Sequence, residues 1–86
     1  MVVLEKYNKY ETIKEFLEDL KNDDIEFIYQ NKYYYIDMHG EKIIFYEKNN
    51  VDETLQEFKN SKILLNKCKI EDQYLKNILF DIHRIY

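Results

Sequence analysis

The side chains best suited to chemistry are few and far apart. His39, Cys68 and His83 are the only imidazoles and thiol in the 86 residues. A metal site needs cysteine, histidine or carboxylate ligands clustered at set spacings. No CxxC or HxxxH pair occurs, so neither a metal nor another cofactor is expected. Cys68 lies between Lys67 and Lys69, whose charges would lower a thiol pKa if they approached it. A thiol nucleophile also needs a base beside it, and the spacing brings neither histidine near, so a loop or semi-buried thiol is expected. His39 stands next to Gly40 at a predicted hairpin tip, and His83 near the predicted end of a helix, where a cation suits the dipole. With one glycine in the chain there is no phosphate-cradling loop and no serine elbow. Carboxylates are plentiful but tied to no pocket. The reading is a chain with no catalytic residues, not an enzyme.

The elements that would position any site centre on Ile25 to Glu47. The run reads IEFIYQ-NK-YYYIDM-HG-EKIIFYE, three alternating stretches broken by two short polar pairs. If Asn31-Lys32 and His39-Gly40 are two-residue hairpin loops, the register is fixed. Tyr29 then faces Tyr34, Phe27 faces Ile36 and Ile25 faces Met38; Ile36 faces Ile43 and Tyr34 faces Phe45. One face carries Ile25, Phe27, Tyr29, Tyr34, Ile36, Met38, Ile43 and Phe45. The other carries Glu26, Ile28, Gln30, Tyr33, Tyr35, Asp37, Lys42, Ile44 and Tyr46, with Glu26 opposite Asp37 and Lys42 beside it. The middle of that second face, Ile28, Tyr33, Tyr35, Ile44 and Tyr46, is too apolar for a simple solvent face. Either a second layer covers it, whether a helix or the N-terminal segment, or it is an interaction surface.

Around the meander the chain reads as helices. Thr12-x-x-Glu15 is a capping box, opening a helix with Ile13, Phe16, Leu17 and Leu20 on one stripe and Asn22 as its C-terminal cap. Asn50-x-x-Glu53 opens a second, with Val51, Leu55 and Phe58 at helical spacing and Asn60-Ser61 as its end. Ile63-Leu64-Leu65 is a last turn, a short strand or a buried connector, and Asn66 to Lys69 read as loop. Asp72 to Ile85 makes the best helix, on the stripe Leu75, Ile78, Leu79, Ile82 and Ile85, with Ile70 as a staple and Lys76 and Arg84 on the polar side. It is expected to pack with the Thr12–Lys21 helix on the Ile25/Phe27/Ile36/Phe45 side. Val2-Val3-Leu4 is an edge strand or packs beneath the sheet. The expected architecture is one α+β domain, 1–86, of two layers: an N-terminal helix, a three-stranded antiparallel meander and two C-terminal helices.

Composition narrows the classes of function. The chain is small enough that its core is only just sufficient without staples. A single cysteine fits a reducing, cytoplasmic setting, and no stretch reaches the length of a membrane span. The lack of alanine, proline and tryptophan is what an AT-rich genome would encode, so the abundance of tyrosine says less than its placement. The net charge of −4 works against phosphate attraction. The charge is uneven, acidic through Phe58 and basic beyond it.

The order helix, meander, helices, with the motifs YxxKYYYI, GEKIIFYE and KIEDQYLKNILFDI, resembles small uncharacterised proteins of low-GC Gram-positive bacteria and their phages. The resemblance brings no activity or site residues with it. It implies a stoichiometric inhibitor or antitoxin-like binder. The sequence thus points to a non-catalytic protein-interaction module acting through Ile28, Tyr33, Tyr35, Ile44 and Tyr46 on an unknown protein partner or on a second copy as a homodimer. The competing reading is a single-stranded nucleic-acid binder that stacks bases on the same tyrosines.

Overall fold

The computed structural model describes residues 7–85; the Val2-Val3-Leu4 segment lies outside them. The order along the chain is β1 (Tyr7–Asn8), α1 (Ile13–Asn22), β2 (Ile25–Tyr29), β3 (Lys32–His39), β4 (Lys42–Glu47), α2 (Val51–Thr54), β5 (Gln56–Phe58), α3 (Ser61–Lys67), β6 (Lys69–Ile70), β7 (Gln73–Tyr74), α4 (Leu75–Ile78) and β8 (His83–Ile85). The meander is there, as the middle of a six-stranded antiparallel sheet ordered β1-β8-β2-β3-β4-β5, and β6 and β7 pair separately.

The register of the meander differs from the expected one by two residues at both turns. Ile25 pairs with Ile36, Phe27 with Tyr34 and Tyr29 with Lys32; Ile36 pairs with Phe45, Tyr34 with Glu47 and Met38 with Ile43. Turn chemistry explains the slip. The first loop is Gln30-Asn31, both with positive φ (49° and 66°), as a type I′ turn requires. The second is Gly40-Glu41 with only Gly40 at positive φ (63°), which is the type II′ position for glycine. The slip also parts Glu26 from Asp37, now opposite Tyr35 and Ile44, removing the like-charge pair. Because side chains alternate with a period of two, a two-residue shift leaves every residue on its expected face.

The apolar face is the core. Ile25, Phe27, Ile36, Ile43, Phe45 and Tyr34 are all buried, with Tyr34 stacked against Phe27 and Phe45 at ring distances of 5.4 and 5.5 Å. Tyr29 is partly buried, but Met38, at the sheet's end, is exposed. α1 forms as its capping box dictates: Thr12 Oγ1 accepts from the Glu15 N–H at 3.1 Å, and Glu15 accepts from the Glu11 N–H at 2.8 Å. It buries Phe16 and Leu20, leaves Ile13 exposed, and is capped by Asp23 rather than Asn22.

The second half of the chain departs from expectation. The predicted helix from Val51 stops at Thr54, with Val51 and Leu55 exposed, and Gln56–Phe58 becomes an edge strand. Asn60 does not end a helix; its side chain accepts from the Ile63 N–H at 2.9 Å and starts α3, which takes in Leu64, Leu65, Asn66 and Lys67.

No helix spans Asp72 to Ile85. Glu71 and Asp72 both take positive φ (52° and 69°) and turn β6 into β7, so Ile70 is a buried hairpin residue, not a helix staple. One helical turn, α4, follows with no side-chain cap. Leu75, Ile78, Leu79 and Ile82 are still buried in the core, so the stripe marks burial but not helix. His83–Ile85 pair with β1 on one side and β2 on the other. That strand satisfies backbone groups that β2 would otherwise leave open, the need that overrides the helical pattern.

Arg84, expected on a polar face, is 4% exposed. Its Nε donates to Asp19 Oδ2 at 2.7 Å, its Nη2 to the Asp24 carbonyl at 3.3 Å, and its Nη1 to the Ile85 carbonyl. The Tyr10 hydroxyl donates to the same Asp19 carboxylate. Burial alone would raise the Asp19 pKa; the hydrogen bonds from Arg84 and Tyr10 and the Arg84 charge outweigh it and hold it below its ordinary value. This clamp ties α1 to β8.

Candidate functional site: the open face of the sheet

α1, α3 and α4 contribute their buried residues to the core on one side of the sheet, and α2 buries none. On the other side no residue of the central strands is buried. No second layer covers it among the described residues. Ile28, Tyr35, Ile44 and Tyr46 are partly buried by their neighbours, and Tyr33 is exposed. The five residues expected on one surface do share it.

The observed register arranges them in rows. Ile85, Glu26, Tyr35 and Tyr46 lie side by side across β8, β2, β3 and β4, with His83, Ile28 and Tyr33 in the next row and Asp37, Ile44 and Glu57 in the row on the other side. Tyr35 and Tyr46 stack with ring centroids 5.4 Å apart. The Tyr46 hydroxyl donates to Asp37 Oδ2 at 3.0 Å. Lys48 Nζ lies 5.4 Å from the centroid of the Tyr33 ring, within cation–π range. Lys42, at the end of the face, pairs with Glu57 at 3.6 Å.

Tyr35 and Tyr46 are held as neutral hydrogen-bonding groups. Burial and the hydrogen bond to Asp37 push Tyr46 up to about 12. Tyr35 is raised by burial and by its hydrogen bond to Glu26. With rings fixed by stacking and hydroxyls by carboxylates, the face is a pre-ordered aromatic platform. Ile85, His83 and Lys48 also belong to it. The first two escaped the sequence reading because the terminal strand reads as helix, and Lys48 because it follows the strand.

The expected chemical groups do not converge. His39 pairs with Lys42 at the end of a strand, and His83 is exposed on the open face. His83 therefore sits in a strand and not at a helix C-terminus. Cys68 is fully buried, and burial pushes its thiol up to about 12, the opposite of activation by Lys67 and Lys69; Lys69 lies over the Tyr74 ring. Among the described residues no three histidine, cysteine or carboxylate side chains gather to hold a metal ion, and no helix is long and apolar enough to cross a membrane. Comparison with protein-family models, with curated proteins and with solved structures finds no match.

Proposed function

We propose that the chain is a non-catalytic protein-interaction module, acting in the cytoplasm, that binds its partner, another protein or a second copy of itself, through the open sheet face. The resemblance to phage and low-GC Gram-positive proteins gives this reading its specific form, an inhibitor or antitoxin-like binder encoded by a phage or mobile element. The observation that carries it is the uncovered platform of Tyr33, Tyr35, Tyr46, Ile28 and Ile44 on a sheet whose other face already holds the core. Tyrosine supplies large contact area at low conformational cost, and here stacking and hydrogen bonds have already restricted the rotamers.

The carboxylates favour a protein over a nucleic acid. Asp37 accepts from the Tyr46 hydroxyl, and Glu26 bonds to Tyr35. Fixed negative charge therefore sits within the aromatic surface, where a phosphate backbone would be repelled.

Replacing Tyr35 and Ile44 together by serine is expected to abolish co-purification of a partner, or to convert a dimer to a monomer in sedimentation, while the far-UV circular dichroism spectrum stays unchanged. Association that survives the double substitution at wild-type strength would overturn the assignment.

A further inference from the structure

On the core side of the sheet, away from the tyrosine platform, a cleft of about 460 Å³ opens between the end of β4, the α2–β5 segment and the β6–β7 hairpin. Its floor includes Tyr34, Phe45, Leu55 and Ile70, and its rim includes Lys32, Glu47, Glu53, Lys69 and Glu71.

Most polar groups of the rim are already engaged. Lys32 is bound to Glu71 at 3.0 Å. Lys69 Nζ sits over the Tyr74 ring. The Gln56 carboxamide is spent on the backbone of Lys69, donating to its carbonyl and accepting from its N–H. Thr54 Oγ1 donates to the Asn50 carbonyl and accepts from the Glu47 N–H.

Asn50 Nδ2 donates to the Glu53 carboxylate at 3.5 Å. Among the described residues the side chains of two cross-strand neighbours, Tyr34 and Glu47, make no hydrogen bond. Tyr34 is 4% exposed, yet its hydroxyl makes no hydrogen bond among the described residues. Among the described residues no side-chain oxygen or nitrogen sealed from solvent lacks a partner, so that hydroxyl opens on the cleft that Tyr34 lines. The Glu47 side chain is only 14% exposed, and the nearest cation, Lys32, stands 3.9 Å away, too far for a direct hydrogen bond.

We infer that this cleft binds a primary ammonium group on a short apolar chain, with the ammonium donating to Tyr34 Oη and the Glu47 carboxylate and the chain lying against Phe45, Leu55 and Ile70. The sign of the ligand follows from what is unspent. Both lysines are occupied, whereas a partly buried carboxylate and a phenol oxygen are open acceptors, and an ammonium supplies three N–H donors. Glu71 and Glu47 both act to raise the Tyr34 pKa, after burial, to about 12, so the local field is negative and favours a cation. A free diamine and the side chain of a lysine in another protein share this chemistry. The inference does not rest on the tyrosine platform, which faces the other way.

The test is a titration of the full chain, ¹⁵N-labelled, with putrescine and separately with N-acetyl-lysine amide, followed by amide shifts. Saturable shifts at Lys32, Tyr34, Glu47 and Glu71 are expected with at least one probe. Tighter binding of putrescine assigns a free amine, and tighter binding of the lysine derivative a protein side chain. Tyr34→Phe removes only a hydroxyl without a protein partner. It is expected to leave the melting temperature unchanged and to weaken binding about ten-fold, and Glu47→Gln to weaken it by a similar factor. Absence of saturable shifts with both probes at 20 mM, a rough ceiling for specific capture, overturns the inference. So does binding that Tyr34→Phe leaves unaltered, or equal shifts with 1-butanol.

Discussion

A single arginine fixes the position of the terminal strand. Arg84 is 4% exposed, and its partner Asp19 is the carboxylate that neutralises it, at 2.7 Å. Removing that carboxylate takes a hydrogen-bonded counter-charge at 2.7 Å from a buried guanidinium, which is more costly than losing an exposed pair. Asp19→Asn is expected to destabilise the fold by about 2–3 kcal/mol, below the roughly 3–5 kcal/mol of a fully buried pair because Asp19 keeps some contact with water. Thermal or urea unfolding measures it; a change within the scatter of surface substitutions would contradict the role given to the clamp.

The pH dependence carries a second sign. The Asp19 carboxyl is held below its free value of 3.8, so in the acid window the unfolded chain takes up the proton first and stability rises with pH there. The contribution is complete at neutral pH and is lost as pH falls through the folded pKa. Urea midpoints taken through that window should show a slope in the native chain that Asp19→Asn reduces. The pair is not legible in the sequence, because Arg84 on the polar side of an expected helix reads as a solvated group.

At the scale of elements, the two hairpins show what patterning determines and what it leaves open. Alternation in Ile25–Tyr29, Lys32–His39 and Lys42–Glu47 was enough to assign both faces, since the apolar set and the tyrosine set each stay together. The register was not legible, because Gln30 had to be recognised as a left-handed position and nothing in glutamine advertises that. Gln30 and Asn31 have φ of 49° and 66°, so replacing the pair by Asn-Gly, the residues a type I′ turn favours, is expected to stabilise the chain by about 0.5–1 kcal/mol. If the loop were Asn31-Lys32 instead, the same change would fall one residue off and yield no gain. An unfolding midpoint together with the Ile25–Ile36 backbone contact distinguishes the two.

The segment from Glu71 to Ile85 failed for a related reason. Leu75, Ile78, Leu79 and Ile82 repeat at helical spacing and are all buried, but a hairpin turn, one helical turn and a strand bury them as well as a helix would. Spacing reports which residues face inward; the chain between them is set by tertiary demand. Here β2 has an edge to be paired, and the terminal residues pair it. Around Asn60, likewise, a residue type that closes one helix also opens another, and the hydrogen bond to Ile63 decides between the two.

For the whole molecule, the arrangement is one-sided. α1, α3 and α4 pack on the same face of the sheet, joined there by Ile82, Phe58 and Cys68, and among the described residues nothing is layered on the second face. Among the described residues the tyrosine platform is therefore a consequence of layer number: six strands are backed by helices on one side only. Alternation in the sequence places Ile28, Tyr33, Tyr35, Ile44 and Tyr46 on one face and leaves open whether a second layer covers it; its borders at His83, Ile85 and Lys48 come only with the sheet order.

Residue-resolved hydroxyl-radical footprinting of the tyrosines in the free chain tests the uncovered face most directly. The fold requires Tyr33 to be oxidised as fast as the equally exposed Tyr74, Tyr35 and Tyr46 at intermediate rates, and Tyr10 and Tyr34 hardly at all until the protein unfolds. Tyr33 and Tyr35 protected to the same degree as Tyr34 in the monomer would mean that the chain covers its own platform, and the proposed interaction surface would not exist.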